Sequence, residues 1–393
     1  MTVWIQNPFD NLPSEGYRKQ RYWLMAEAFV RAGHQVVLWT SSFSHAKKTT
    51  REGGKGKREK GIEVRFIPTL PYPKNVCFKR IESHRAYARE WFRLTSLPSS
   101  LFPLPSLIIT STPTLSAAAV AIDLGRKFGA KVVVDVMDAW PETFERLAPK
   151  GFRWLTKPFL AGMHRTARRL YREADLVTGV CARYRELTGR ADYYLAYHGI
   201  EGKREEGRGK REEGRGKREE EWFAGANRRV RLVYAGNLGK TYDLATVVKA
   251  VEENEDFELD VAGFGEFKCD CPRVRFHGLL SEPDLQALLA QCDIGIVPMR
   301  AESWVGVPYK FCDYSKEGLA IVSSLGGESS ALLEKYGCGA TYRAGDVASL
   351  VAAIRAAKEL PAGASQTMCA AEFDAMKIYD AYAARVLKLV QNS

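Results

Sequence analysis

The stretch IGIVPMRAESWVGVPYKFCDYSKEGLAIVSSLGGESSALLEKYG, residues 294–337, decides the fold. Two short apolar runs within it, IGIVPM and AIVSS, have the length and β-branched content of buried strands. Between them, VPYKFCDYSKEG (307–318) opens beside a Pro and closes on a Gly, the punctuation of a short helix. After the second run, SSLGGESSALLEKYG (323–337) turns through Gly326 and Gly327 into another helix that begins near Glu328. Strand, helix, strand and helix in that order imply a parallel sheet covered by helices. Lys310 and Asp313 stand at i and i+3 and so share a helical face. Alone, the pair reads more plainly as a surface ion pair than as a grip on a phosphate and a ribose hydroxyl.

The same alternation runs outward in both directions. In the first half TVWIQNPF, QVVLWTSS, VRFIPTL, LIITST, VVVDVMD and DLVTGV read as strands, with helical stretches such as YRKQRYWLMAEAFVRAG and TLSAAAVAIDLGRKFG between several of them. In the second half VRLVYAGN, FELDVAG and VRFHG join the two strands already named. SEPDLQALLAQC opens with Ser281 and has Asp284 three residues on, a helix-capping pattern. The chain is thus expected to be α/β, with two Rossmann-like domains and parallel sheets facing across a cleft. Open sheets of this kind bind ligands at the carboxyl ends of their strands. The expected division is an N-terminal domain at 1–200, a charged insert at 201–221, a C-terminal domain at 222–375 and a final helix at 376–393 packing back on the first domain.

Composition sets the class. A chain of 393 residues exceeds what one core usually supports, and 46% hydrophobic with 27% charged residues fits a globular protein. No apolar run reaches the roughly 18 residues of a membrane span, and the N-terminus lacks the pattern of a signal peptide. The eight cysteines are scattered; Cys269 and Cys271, with only His277 near, have poor spacing for a metal site. Reduced thiols in a cytoplasmic protein are the expectation. Residues 1–200 carry 32 Lys and Arg against 17 Asp and Glu, while residues 222–393 carry 18 against 22. The basic first half suits phosphates or an anionic membrane surface. EGKREEGRGKREEGRGKREEE (201–221) repeats with a period of seven, has no apolar residue, and holds eight acidic and eight basic residues. It cannot bury a face, so a solvated linker or loop is expected. GGKGKREK (53–60) is read as a smaller insertion of the same kind in an earlier loop.

Candidate site residues fall just after strands. YAGNLGKTYDL (234–244) places Gly236, Asn237, Gly239 and Lys240 where a strand gives way to a helix. Small residues there let backbone N–H groups approach a phosphate, and Lys240 adds charge. VAGFGEF (261–267) adds Gly263 and Gly265, which leave room for a flat ring. Each turn alone fits any βα unit; three after strands of one sheet point to a nucleotide diphosphate. In the first half, DVMDAWPETF (135–144) ends a strand with Asp138, Trp140 and Glu142. An aromatic beside carboxylates suits a sugar or lipid-linked acceptor, and equally Asp138 could only cap the turn before Pro141. Glu15 and Gly16 lie in the first βα loop, where backbone close to an acceptor is useful.

Taken in order, these stretches resemble the GT-B glycosyltransferases of family 4, over nearly the whole chain. MAEAFVRAGHQVVLWTSSFSH, AYHGIE (196–201), VYAGNLGKTYDL, VAGFGEF with VRFHGLLSEPDLQALLAQCDIGIVPM, and VPYKFCDYSKEGLAIVSSLGGE are each similar to a family motif in its usual position. VMDAWPE is similar to the "RDLWPes" wording of the WbuB-like branch, which builds bacterial O-antigen and capsule chains. The resemblance implies that Lys240 and Lys310 hold a diphosphate, that Asp313 meets the ribose, that Gly263 lies near the base, and that Gly326, Gly327 and Glu328 lie near the donor. Asn237 stands where many members have Arg, Val305 where many have a sugar-contacting Glu, and SKEGLAIV replaces the commoner wording; Glu302 is only a loose substitute for that Glu. The implied reaction transfers a sugar from a nucleotide-diphosphate sugar, base unknown, with retention of configuration. The acceptor would be a glycan or a polyprenyl-diphosphate-linked sugar, and Asp138 a candidate to position it. No DxD motif follows a strand, so no metal and no other cofactor is expected, and the positive charge would come from Lys240, Lys310 and helix N-termini. GFRWLTKPFLAGMHRTARRLYREA (151–174) mixes aromatics with Arg and Lys, which fits either a helix on the sheet or peripheral contact with the inner membrane face. A non-catalytic nucleotide-sugar or partner-binding homologue, which would bind nucleotide without turnover, and a sugar-nucleotide epimerase, which would need no acceptor, are the alternatives. Nucleic-acid binding has only charge in its favour and is not expected.

Overall fold

The structure, a computed structural model, describes residues 1–51, 56–73, 77–97, 102–145, 150–202, 228–239 and 241–391. The repeat expected to form an insert at 201–221 lies, beyond Gly202, outside the described residues. The chain divides into two compact units, Met1–Tyr197 with Met376–Ser393, and His198–Ala375.

The first unit contains β1 (Thr2–Gln6), β2 (Gln35–Ser41), β3 (Phe43–Ser44), β4 (Thr49–Thr50), β5 (Gly56–Glu59), β6 (Ile62–Ile67), β7 (Leu107–Thr112), β8 (Lys131–Val136), β9 (Leu176–Gly179) and β10 (Tyr194–Leu195). Eight of these form one sheet in the order β10-β9-β8-β7-β1-β2-β6-β5. Every residue of β1 and of β7 is buried, as a parallel sheet covered on both faces requires. The helices Arg21–Arg31, Phe78–Thr95, Leu115–Phe128 and Thr156–Glu173 supply much of that cover. One expectation needs correcting: part of GGKGKREK is not a loop. Gly56–Glu59 pairs antiparallel with β6 as the sheet's last strand, where alternating half-exposed charged side chains suit an edge facing water. The short pair β3 and β4 was not anticipated either.

A buried ion pair ties this unit together. Arg21, on the first helix, donates from Nε (2.9 Å) and Nη2 (2.8 Å) to the two carboxylate oxygens of Asp135 on β8. Tyr22 Oη and Thr178 Oγ1 also donate to Asp135, and Arg21 Nη1 donates to the carbonyls of Ala196 and Tyr197. Burial alone would push the Asp135 carboxyl up; the Arg21 charge and these donors outweigh it and hold it below the usual carboxylate range. The final helix, Ala375–Gln391, buries Tyr379 and Tyr382 against the same centre, with Tyr382 Oη 3.4 Å from Thr178 Oγ1.

The second unit is a six-stranded, wholly parallel sheet. Its strands are β11 (Val230–Ala235), β12 (Phe257–Ala262), β13 (Val274–Gly278), β14 (Ile294–Val297), β15 (Ala320–Ser323) and β16 (Gly339–Thr341), in the order β13-β12-β11-β14-β15-β16. The chain therefore starts in the middle and reverses direction across the sheet between β13 and β14, so the carboxyl ends of β12, β11, β14 and β15 stand side by side. Such a reversal leaves a crevice at the strand ends. Beneath it, Asp260 on β12 accepts from Arg231, Arg275 and His277, joining three adjacent strands.

Asp10 provides a pH test of the first unit. It is buried and accepts from Tyr22 N (2.9 Å), and burial pushes its carboxyl up to about 7, against the pull of that N–H and of Arg21 and Arg51. Between about pH 4 and pH 7 the folded protein keeps a proton that the unfolded chain has released, so this group lowers stability as pH rises, by about 1.4 kcal/mol per unit. Asp10→Asn keeps an acceptor for Tyr22 N without the charge. Denaturation midpoints should diverge in the variant's favour from pH 4 to pH 7 and run parallel above; a constant difference across that range would refute the assignment.

Candidate functional site

In the second unit the turn after β11 and the turn after β12 are bonded to each other. Gly236 N donates to Ala262 O (2.8 Å) and Leu238 N to Phe264 O (2.8 Å), while Gly263 N donates to Gly278 O (2.7 Å) at the end of β13. The contact tolerates no side chain. A Cβ on Gly263, whose φ is +145°, would lie 1.8 Å from the carbonyl oxygen of Gly236; one on Gly265 would meet the backbone of Leu238 at 2.8 Å. The glycines picked out for close approach to a ligand are thus first needed for the approach of these two turns to each other.

Lys310 begins the helix Lys310–Glu317 and is 8% exposed. Its ammonium lies 4.6 Å from the ring centre of Tyr234 and 4.7 Å from that of Tyr242. A Cβ on Gly236 would fall 2.0 Å from Lys310 Nζ, so the lysine reaches across to the bare backbone after β11. Tyr234 is locked by its own hydroxyl, which donates to Asn237 O (2.5 Å), and Tyr314 Oη receives the N–H of Ala235 (2.9 Å). Two aromatic faces flank the cation and help to hold it in place.

The remaining elements close around the same strand ends. Asp243 N donates to Pro298 O and Arg300 N to Thr241 O, joining the turn after β11 to the loop after β14. Ser324 Oγ donates to Met299 O (2.6 Å), and Ser329 Oγ is bonded to Gly306 O. These bonds set the Gly326–Gly327 turn beside that loop. Gly327, at φ +62°, precedes the helix Glu328–Tyr336, and Gly326, Gly327 and Asn237 are exposed there. Asp313 is half-buried in the first turn of the Lys310 helix. The structure therefore gathers Gly236, Asn237, Gly239, Gly263, Gly265, Lys310, Asp313, Gly326, Gly327 and Glu328 around the ends of four adjacent strands. Lys240 lies outside the described residues. Tyr234 and Tyr242 escaped the sequence reading, although both sit within the quoted YAGNLGKTYDL.

In the first unit the acceptor-side candidates occupy different settings. Glu15 accepts from Arg51 Nε (2.7 Å) and from Leu12 N (3.1 Å), and Gly16 closes the short 3-10 turn with φ +82°. Asp138 accepts from Trp140 Nε1 (3.1 Å) and Thr143 Oγ1 (3.3 Å), as a turn-capping residue does. Burial raises its pKa, opposed by the Thr143 bond, the Arg80 charge and the Trp140 bond. Trp140 is buried with the Arg80 guanidinium 4.9 Å above its ring. Glu142 stands 3.4 Å from His164, and burial raises its pKa as well.

This geometry has counterparts among known proteins. The sequence matches the glycosyl transferase 4-like domain over residues 19–193 and the glycosyl transferases group 1 domain over residues 229–359. Among curated proteins, none matches the sequence. Solved structures do. Sucrose-phosphate synthase from Thermosynechococcus elongatus aligns over 100% of both chains at 12% identity and TM-score 0.73. An Anabaena protein, HepE, in complex with UDP-glucose aligns over 99% of both at 13% identity and TM-score 0.61. An α,α-trehalose-phosphate synthase from Burkholderia vietnamiensis aligns over 100% of this chain and 99% of its own, at 12% identity and TM-score 0.63. The two parallel-sheet units form the GT-B fold, and the chain belongs to the group 1 glycosyl transferases.

The fit of the two turns is directly testable. Gly263→Ala forces a Cβ into backbone at a φ that L-residues avoid, a strain of about 1–3 kcal/mol before any displacement. The variant should melt several degrees lower than the wild type. Gly326→Ala, with open space around its Cβ, should melt with the wild type; equal losses in both would remove the packing explanation.

Proposed function

We propose that the chain is a retaining, metal-independent hexosyltransferase. It would move a sugar from a nucleotide-diphosphate sugar to a glycan or polyprenyl-diphosphate-linked acceptor in cell-surface polysaccharide synthesis. The observation that carries this reading is the buried Lys310 ammonium, held by two tyrosine rings against the bare backbone of Gly236 at adjoining strand ends.

A cation fixed before substrate arrives stabilises the charge that grows on a diphosphate leaving group without reorganising first. Lys310 has that role here, with Lys240 as its partner. Asp313, one helical turn on, would accept from the ribose hydroxyls. The Gly326–Gly327 turn and Glu328, at the N-terminus of a helix, would face the donor. As the bond to the sugar breaks, the departing diphosphate takes the proton of the acceptor hydroxyl, so no separate strong base is required. Asp138 would orient the acceptor. Because HepE was solved with UDP-glucose and with UDP, uridine is the first base to test.

A thermal-shift comparison of UDP, GDP, ADP, CMP and dTDP decides the donor reading. One nucleoside diphosphate, at a hundred times its dissociation constant, should stabilise the protein by about 2.7 kcal/mol. Lys310→Met keeps most of the stem's volume, removes the charge, and should abolish that gain. If none of the five raises the melting temperature of the wild-type protein, the chain is not a nucleotide-sugar enzyme.

Peripheral membrane contact is part of this proposal, and a patch of side chains supports it. Among the described residues no helix is long and apolar enough to cross a membrane. The helix Thr156–Glu173 buries Ala167, Leu170 and Tyr171, whereas Phe152, Trp154, Leu155 and Phe159 at its start are 60%, 65%, 43% and 86% exposed. Lys157, Arg165 and Arg168 are exposed along it. Aromatics beside cations suit an anionic bilayer surface. In co-sedimentation with phosphatidylglycerol vesicles, Trp154→Ser with Phe159→Ser should weaken binding by tenfold or more, since each ring contributes about 1.5–3 kcal/mol when buried. Undiminished binding would rule this patch out.

A further inference from the structure

Above the carboxyl ends of β1, β2 and β6, the first unit holds a cluster of cations and aromatic rings. His45 lies in the loop after β3, while Arg80 and His84 lie on the helix Phe78–Thr95. Lys48 Nζ is 3.4 Å from His45 Nδ1 and 4.6 Å from the centre of the Tyr72 ring. Tyr72 Oη is 2.5 Å from that same His45 nitrogen. The Arg80 guanidinium stands 5.3 Å from the Phe9 ring and 4.9 Å from the Trp140 ring. Phe9 in turn packs edge-on against both His45 and His84, at 5.4 Å each. Beside them is a cavity of about 10 Å³, room for a single water or oxygen atom, lined by Phe9, Ser41, Tyr72, Ser83 and His84 among others and not by the cations themselves.

Three features mark this as a ligand site rather than packing. His84 is 7% exposed and lines the cavity, yet its Nε2 has no hydrogen-bond partner among the described residues. A buried polar nitrogen left unmatched costs about 1–3 kcal/mol, which a bound acceptor atom would recover. Second, the positive groups crowd one another. Burial, then Lys48 and Arg80, lower the His45 pKa to about 3, and burial, then Arg80 and His45, lower that of His84 equally far. Both imidazoles are thus neutral, and either can donate a hydrogen bond to an anion. Third, Arg80 also acts electrostatically on Asp138, the residue assigned above to the acceptor hydroxyl.

We propose that the cluster of Lys48, Arg80 and His84 binds a phosphate or diphosphate group carried by the acceptor, with one oxygen reaching the small cavity beside His84 and the rings of Phe9, Tyr72 and Trp140 around the cations. This rests on the glycosyltransferase reading and gives its acceptor a chemical class: a phosphorylated molecule rather than a neutral glycan. Arg80 and Lys48 supply the charge, His84 Nε2 a neutral donor, and Asp138 lies close enough to Arg80 for one acceptor to meet both.

The test uses the full chain, with inorganic pyrophosphate as the probe. The chain has six histidines, so the ring signals of His45 and His84 can be assigned in NMR spectra by single substitutions. Pyrophosphate should shift both signals in the wild type and, with the same midpoint, in Lys310→Met, which separates this pocket from the donor site. Lys48→Gln and Arg80→Gln should each raise the midpoint at least tenfold, as losing a hydrogen bond to a charged group does. Arg80→Lys, which keeps the charge, should stay within a few-fold and guards against a merely misfolded variant. Geranyl diphosphate displacing pyrophosphate at lower concentration than glucose 1-phosphate assigns a prenyl-linked acceptor; the reverse assigns a soluble sugar phosphate. Signals that do not move, or midpoints unchanged in both charge-removing variants, overturn the proposal. Failure of the donor reading would look different: no nucleotide would stabilise the protein, while pyrophosphate still shifted His45 and His84.

Discussion

The pairing of Arg21 with Asp135 is the constraint on which the first unit is arranged. A bidentate ion pair shut away from water is stable only if its geometry is good and every remaining donor and acceptor is matched. Here the first helix brings Arg21, β8 brings Asp135, β9 brings Thr178, and the chain beyond β10 brings two carbonyls. The final helix covers the group with Tyr379 and Tyr382. Elements more than two hundred residues apart in sequence are thereby held to one register. The pair also sets the charge that Asp10 meets in the first βα loop, so it reaches the strand ends where the acceptor is proposed to bind.

The second unit follows a different logic. Its four central strands are largely buried, and the candidate site residues stand at the carboxyl ends. There the backbone itself has to come close, and glycine is what permits it. Gly236 and Gly263 are required by each other before they are required by any ligand. Lys310 then occupies space that a Cβ at 236 would have filled. The same absence of side chains serves packing first and charge placement second, and Tyr234 and Tyr242 turn a flexible lysine into a fixed cation.

The two halves of the chain differ in how openly they wrote their chemistry. The donor side is local: each candidate sits within a few residues of a strand end, and βα alternation puts consecutive strand ends on one side of a sheet. Gly236, Gly263, Lys310 and Gly326 could therefore be picked out as candidates from their places after strands together with the resemblance to the family. The cluster of His45, Lys48, Arg80, His84 and Trp140 draws on two separate loops and a helix, with no motif to join them. Nothing in the local sequence around His84 sets it apart from an ordinary helical residue. Its significance comes from being buried without a partner, a property of the folded surroundings.

The sequence by itself determined the longer strands of both units and several of their helices, the parallel pairing of those strands, and the positions of the glycine turns. These follow from short-range patterns of apolar residues and from backbone stereochemistry. It could not reveal that Gly56–Glu59 forms an edge strand, because half-exposed charged residues look alike in a loop and on a sheet edge. Nor could it show that Arg21 and Asp135, 114 positions apart, would meet, since either charge alone reads as a solvated surface group. Tertiary structure decided both, as burial is set by what lies across a strand or beneath a helix and not by chain neighbours. It also decided that the Lys310 ammonium lies between the rings of Tyr234 and Tyr242, which helical spacing alone does not show.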